Sequence, residues 1–367
     1  MINRTKDEVN FAAGSLSSSG GSSKGVVLCF GELLLRFSPA LKGEWIKSHS
    51  MPVFTGGAEL NVAQALALWN IPVKYFTALP DNYLSKEITG FVSAKNIDTT
   101  STHYSGNRIG AYYLPQGADL KNAGVIYDRA NSSFAELKPG MINWDDVLKD
   151  VNWFHFSAIC PALSQDTVSL CEEALQACEQ KGITISVDLN YRSKLWQYGK
   201  QPPEVMPQLM KYCKVVMSNI WSTDSLLGIP AAVKESAGKT KDELLGAAGK
   251  SMKQIHLDYP GVTTIAYTFR LEDYYFAVLQ HGPEMVISVE YPMRGAIDKS
   301  GSGDCFMAGL IYGLYHHYTP QAIVDFATAA AYQKLFVKGD ATDKTADQIK
   351  NFIQQHEQRT ASPATGA

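Results

Sequence analysis

The sequence has no cysteine pair at CxxC spacing and no strong charge of either sign. It also has no apolar run approaching the roughly 20 residues that span a bilayer. Each absence removes a class of protein. The six cysteines (Cys29, Cys160, Cys171, Cys178, Cys213 and Cys305) lie mostly inside apolar stretches. They read as buried free thiols in a reducing compartment, against a disulfide framework or a zinc site. A formal net charge of -3 offers no electrostatic footprint for nucleic acid or an acidic membrane, so an anionic substrate would need local basic groups. The first 25 residues lack the basic start and long apolar centre of a secretion signal, and a cytoplasmic location is expected. After the first apolar run the chain reads Phe30-Gly31-Glu32-Leu33. That lacks the GxGxxG turn of a nicotinamide-dependent oxidoreductase.

What is present is core-forming material: 45% of the 367 residues are hydrophobic and 19% charged, a balance suited to a large buried core. One main domain with a small appendage is expected. Ser15 to Gly25 is low-complexity, so residues 1–25 read as a flexible tail, with the folded domain over 26–355 and a second tail over 356–367. Val26 to Phe30 reads as a buried first strand. Further apolar runs follow at Val73 to Ala78, Trp153 to Ser157, Ile183 to Asp188, Val215 to Ser218, Thr263 to Tyr267 and Met285 to Val289. Helical patterns between them cover Glu59 to Trp69, Leu84 to Lys95, Gln165 to Lys181 and Pro203 to Tyr212. This alternation predicts an α/β fold, a mainly parallel sheet flanked by helices, with ligands at the carboxyl ends of its strands. Two stretches break the rhythm, 34–53 and 108–129; with strands joined by the loop Gln116 to Asn122, they predict a small β-sheet lid.

Near the C-terminus Gly301-Ser302-Gly303-Asp304 opens an apolar helix. A helix start carries unpaired N–H groups and partial positive charge, which suits a phosphate in transit. Glycines allow close approach, and the carboxylate of Asp304 is suited to taking a proton from an attacking hydroxyl. Read alone, the same letters also describe a helix cap. Upstream, Gly56-Gly57-Ala58-Glu59-Leu60-Asn61 places two glycines before a helix and an amide in its first turn. That suits either a polar ligand or tight strand-to-helix packing.

The segments GGAELNVAQALA and DKSGSGDCFMAGL resemble, in order and separation, the two signature regions of the ribokinase-like carbohydrate kinases, the PfkB family. The resemblance covers Gly25 to about Gln354 and implies a doubly wound α/β domain with a β-lid, ATP as phosphoryl donor and Mg2+ as cofactor. Three further segments resemble the 2-keto-3-deoxygluconate kinase branch: Arg108 to Tyr113, Val125 to Ser133 and Ser186 to Trp196. The acceptor implied is a sugar acid, phosphorylated on its terminal hydroxyl. Asp304 is then the base, in the anion turn of Gly301, Ser302 and Gly303. Substrate contacts fall to Gly57, Ala58, Glu59, Asn61, Tyr112 and Arg192, whose guanidinium would hold the carboxylate in a two-pronged grip. Nucleotide contacts fall to Asn190, Arg192, Asn219, Thr268, Gly301 and Gly303. Arg129 is expected to hold the lid, and one of Tyr112 and Tyr113 to be core. The lid implies a homo-oligomer, since exposed strand edges otherwise pair nonspecifically.

The sequence also departs from the family pattern. Asn219-Ile220-Trp221-Ser222 stands where Asn-x-x-Glu is frequent, with Asp224 two residues on as a candidate substitute; Thr268-Phe269-Arg270 stands for Lys-x-Gly. Lys299 and Ser302 replace the usual threonine or proline and alanine. Val337 to Asp340 is expected near the nucleotide, closing over adenine or holding a monovalent cation. A kinase for a neutral sugar such as fructose or ribose, and a sugar sensor with weakened catalysis, remain as alternatives.

Overall fold

Successive residues of Val26–Phe30 point alternately into two separate cores. Leu28 and Phe30 enter one, Val27 and Cys29 the other. The same division recurs at Val216 against Val215 and Met217, and at Phe276 and Val278 against Tyr275, Ala277 and Leu279. Side chains alternate across a strand, so a strand apolar at every position must be covered on both faces.

The structure, a computed structural model, describes residues 25–40, 44–116 and 124–361. Its strands in chain order are β1 (Val26–Phe30), β2 (Leu34–Phe37), β3 (Val53–Gly56), β4 (Val73–Phe76), β5 (Ala78–Leu79), β6 (Ile97–Asp98), β7 (His103–Tyr104), β8 (Gly110–Tyr113), β9 (Ile126–Asp128), β10 (Val151–Ser157), β11 (Thr184–Asp188), β12 (Val215–Ser218), β13 (Thr264–Arg270), β14 (Tyr274–His281), β15 (Glu284–Ile287) and β16 (Tyr291–Pro292). The helices are α1 (Trp45–Ser48), α2 (Ala58–Leu68), α3 (Tyr83–Ser93), α4 (Trp144–Val147), α5 (Gln165–Gln180), α6 (Pro202–Met210), α7 (Ile220–Leu227), α8 (Lys241–Asp258), α9 (Ser302–Tyr315), α10 (Pro320–Lys334) and α11 (Ala346–Ala361).

The main sheet runs β15-β14-β13-β12-β11-β10-β1-β4-β6, with β16 beside β14. It is parallel from β6 to β13 and antiparallel beyond. The chain first builds outward from β1 through β4 to β6, then crosses back to β10 and builds the other way. Strand order reverses between β1 and β10, and a crevice opens there at the carboxyl ends. Over this crevice lies a separate sheet, β3-β2-β8-β9, where the sequence predicted a small β-sheet lid.

Several elements differ from the sequence expectation. The strand β13 runs on to Arg270, and β14 and helices α7 and α8 were not anticipated. Two glycines, Gly246 and Gly249, blur the helical period of α8, which a Thr240–Glu243 capping box nevertheless starts. The tail expected from 356 is a correction: α11 continues to Ala361, because it buries Ile349 and Ile353 and sets Phe352 and His356 against Tyr291. Residues 362–367, most of the N-terminal tail (1–24) and the lid loop over 117–123 lie outside the described residues.

Candidate active site

Helix α9 begins at Gly301, which caps it in the left-handed conformation at φ 72° and has no side chain to bond the first-turn N–H groups. Those groups are left facing outward for an anion. A Cβ at Gly301 would stand 1.8 Å from the Asp340 carbonyl, so only glycine lets the turn lie this close to the segment behind it. The Ser302 hydroxyl folds back on the turn, donating to Lys299 O (3.2 Å) and accepting from Arg270 Nη1 (3.1 Å).

Asp304, in the first turn of α9, is buried and accepts a 2.7 Å hydrogen bond from Asn61 Nδ2. Burial pushes its carboxyl up to about 6, against the opposing effects of the Asn61 hydrogen bond and the nearby Arg192 charge. A carboxylate with that value accepts a proton readily near neutral pH. If Asp304 is the base, kcat/KM is expected to be level above pH of about 6 and to fall tenfold per unit below it. A pH–rate profile checks this; full activity at pH of about 5 would remove the assignment.

Two cavities meet at Asp304. One, of about 400 Å³, is lined by Asp188, Asn190, Arg192, Asn219, Ser222, Thr268, Arg270, Lys299 and the turn Gly301 to Asp304, a volume suited to a small ligand. All the residues expected at the nucleotide are on its wall. The other lies under the lid, between Gly57, Ala58 and Asn61 of α2's start, Tyr112, Tyr127 and Arg129 of the lid, and Arg192, Gly301, Asp304 and Asp340. Its open space is only about 50 Å³, room for one or two waters at about 30 Å³ each. It is half open to its surroundings and shares Asn190, Arg192, Gly301 and Asp304 with the outer cavity.

The inner cavity offers an acceptor to a hydroxyl group. Among the described residues Asn61 Oδ1 is buried there without a hydrogen-bond donor, and buried acceptors are rarely left so. Asp340 is already engaged, Oδ2 lying 3.1 Å from Arg36 Nε in a buried ion pair and Oδ1 accepting from the Tyr112 hydroxyl (3.4 Å). The Asn61 amide cannot be turned round, because its oxygen would then face the Asp304 carboxylate. Arg192 is half-buried, borders both cavities and, among the described residues, makes one hydrogen bond, to the Tyr191 carbonyl (3.2 Å). No carboxylate among the described residues forms an ion pair with it, so the reading of Arg192 as a surface ion-pair partner does not hold.

Other residues differ from expectation. Glu59 does not line the sugar cavity: its carboxylate accepts from Ser157 N (2.9 Å) and the Ser157 hydroxyl at the end of β10. A helical step of about 100° per residue turns it away from the face that Ala58 and Asn61 share. Of the two lid tyrosines, Tyr112 is buried against the cavity and Tyr113 stacks on Phe37 at 5.2 Å. Arg129, expected only to hold the lid, does so through a buried pair with Glu32 and also reaches the cavity wall. Asp224 is exposed and accepts from Ala231 N, away from the crevice, so it does not stand in for the family glutamate. Ser222 instead receives the Asn219 amide (2.9 Å) at the start of α7. The 337–340 segment lies behind the anion turn and under the lid, not over the nucleotide cavity. Positive charge there is supplied by the protein: Lys334 Nζ donates to Val337 O (3.1 Å) and Arg36 meets Asp340.

No group of three or more His, Cys, Asp or Glu side chains capable of holding a metal occurs among the described residues. Asp188 and the Ser222 hydroxyl on the outer cavity wall are oxygen donors. They fit a magnesium ion that keeps its water and rides on phosphates, as magnesium does with nucleotides, and not an all-protein cage.

The chain matches the family described as pfkB family carbohydrate kinase over residues 25–347. The chain belongs to that family. It is 28% identical over 330 residues to a 2-dehydro-3-deoxygalactonokinase of Haloferax volcanii, covering 89% of this chain and 96% of the relative. Probable fructokinase-2 of Arabidopsis thaliana is 24% identical over 301 residues, 81% of this chain and 83% of the relative. The crystal structure of a 2-dehydro-3-deoxygluconokinase from Thermotoga maritima superposes with a TM-score of 0.81 at 31% identity, over 90% of this chain and 99% of that one. As a pfkB kinase the protein is a phosphotransferase acting on a sugar, and the free, buried state of all six cysteines agrees with the sequence expectation. Among the described residues no helix is long and apolar enough to cross a membrane.

Proposed function

We propose that this kinase transfers the γ-phosphoryl group of ATP to the terminal hydroxyl of a sugar acid. The expected acceptor is 2-keto-3-deoxygluconate (2-dehydro-3-deoxygluconate), giving 2-keto-3-deoxy-6-phosphogluconate. The observation that carries this is Arg192, a guanidinium with no ion-pair partner among the described residues, on the wall of a cavity that Arg129, Asn61 and Asp304 also line. A neutral sugar needs no such countercharge; a carboxylate at pH 7 does. The Thermotoga 2-dehydro-3-deoxygluconokinase and the Haloferax 2-dehydro-3-deoxygalactonokinase, kinases of 2-keto-3-deoxy sugar acids, support the same class.

In this mechanism the lid settles on the sugar acid, with its carboxylate on Arg192 and a hydroxyl on Asn61. Asp304 takes the proton of the terminal hydroxyl as that oxygen bonds to the γ-phosphorus, and the bond from phosphorus to the β–γ bridging oxygen breaks to release ADP. The N–H groups of Ser302 and Gly303 receive the charge on the transferred group, a preorganised contribution that counts for most in such reactions. Arg192, Arg270 and Lys299 line the donor cavity beside the other phosphates. Magnesium, held by ATP with Asp188 and Ser222 near, would screen the phosphate charge. The homo-oligomer expected through the lid finds support in Val53 and Ile126, 50% and 62% exposed on lid strands. A cytoplasmic location is supported by the six free, buried cysteines.

The test is a steady-state acceptor screen with ATP and magnesium, over both C4 epimers of the 2-keto-3-deoxy acid, fructose and ribose. A clear preference in kcat/KM for the acids is expected. Preference for fructose would replace this reading with the neutral-sugar one, which the Arabidopsis relative's name favours.

A further inference from the structure

Arg36 sits on lid strand β2, and its guanidinium is buried outside the walls of both cavities. Each of its nitrogens meets a different residue behind the anion turn. Nη1 donates to Ser300 Oγ (3.1 Å), Nη2 to Asp298 Oδ2 (3.0 Å), and Nε lies 3.1 Å from Asp340 Oδ2. The guanidinium carbon lies 4.5 Å from the centroid of the Phe54 ring, on the adjoining lid strand β3. Asp298 is a node in turn: Oδ1 accepts from Ser300 N (3.0 Å) and Oδ2 from Gly339 N (3.1 Å), while Asp298 N donates to Leu335 O (3.1 Å). One side chain thus joins the lid, the residues leading into Gly301 and the segment behind them.

We propose that Arg36 is a positioning residue that couples lid closure to the alignment of the anion turn. When β2 lies down on the crevice, the guanidinium fixes Asp298 and Ser300, and these set the direction of the N–H groups at Ser302 and Gly303. When the lid lifts to admit a sugar, those bonds part and the turn is released. The geometry of the fork is part of the argument. A guanidinium presents its N–H groups in a rigid plane, so it can fix two acceptors at once, which an ammonium on a flexible stem does not. Arg36 itself is absent from the walls of both cavities, so its effect is carried by the turn and not by contact with either substrate.

This inference rests on phosphoryl transfer at Asp304 but not on the identity of the acceptor. It is tested by the ratio of variant to wild type on whichever acceptor the wild type uses best. Arg36→Ala is expected to lower kcat about 100-fold with KM for ATP little changed, the scale of a turn misplaced by about an ångström. Arg36→Lys should recover only part of the loss. Guanidinium chloride at millimolar concentration should raise kcat of Arg36→Ala several-fold and leave wild type unchanged, while potassium chloride at equal ionic strength does neither. Near-wild-type kcat in Arg36→Ala would overturn the proposal. So would a loss that guanidinium does not relieve, or one that potassium relieves equally. If Arg36→Ala does not fold, Ser300→Ala, which removes one acceptor and no charge, takes its place; a loss in kcat without a change in KM for ATP is required of it, and unchanged kcat overturns the proposal.

Discussion

Asp304→Asn is expected to lower kcat about a thousandfold while leaving binding of sugar and ATP within a few-fold of wild type, the scale of losing a general base. Calorimetry for binding and coupled ADP release for turnover measure the two halves. Near-normal turnover would remove Asp304 from the role of base. The same substitution carries a second, opposite expectation. The folded protein raises the Asp304 carboxyl from 3.8 to about 6, chiefly by burial. The charged form is therefore disfavoured by folding. Stability is full where the group is protonated in both states, declines as pH rises from about 4 to about 6, and is lower by on the order of 2 to 3 kcal/mol above that. Asparagine removes the buried charge, so Asp304→Asn should raise Tm at pH of about 7.5, and the gap to wild type should close at pH of about 4. A variant less stable than wild type at the higher pH would mean that Asn61 and Arg192 more than offset the cost of burial. The inactive variant is thus expected to be the more robust one.

How much of this was legible in the sequence follows from the range of each interaction. Gly301 could be read because the demand is local: a left-handed cap and a backbone in contact leave no room for a side chain. Gly57 is similar, at φ 134° with Glu32 O where a Cβ would stand. Strands apolar at every position announced a sheet covered on both faces. Glu59 was misplaced for a reason equally local. It stands between Ala58 and Asn61 in the sequence, but the helical period sends it to β10 while they face the cavity. Asp298 and Asp340 lay in segments that the sequence marked, at the start of DKSGSGDCFMAGL and at the end of Val337 to Asp340, but nothing near either residue, or near Arg36, tied the three together. Their meaning comes from the lid folding back over a turn that is distant in the chain. Arg129 was half read: a lid arginine paired with Glu32 and a cavity residue are the same side chain seen from two sides.

Arg192→Ala should change which acceptor the enzyme prefers, not only how fast it works. The side chain borders both cavities, so its loss weakens ATP handling for every acceptor alike. Dividing kcat/KM for a sugar acid by that for a neutral sugar cancels this common part and leaves the carboxylate contact. That ratio is expected to fall about 100-fold, the cost of truncating one partner of a desolvated, two-pronged ion pair. Arg192→Lys, which keeps the charge but not the planar fork, should fall between. Arg129→Ala is a poorer probe, since it strands the buried Glu32 carboxylate, whose remaining hydrogen bond among the described residues is from Ser132, and its effect on folding would mask any effect on selectivity. Arg192 has no such debt to the fold: among the described residues it hydrogen-bonds a neighbouring carbonyl and forms no ion pair. An acid-to-neutral ratio left unchanged by Arg192→Ala would show that the carboxylate is held elsewhere, and the sugar-acid reading would then have to rest on Arg129 alone.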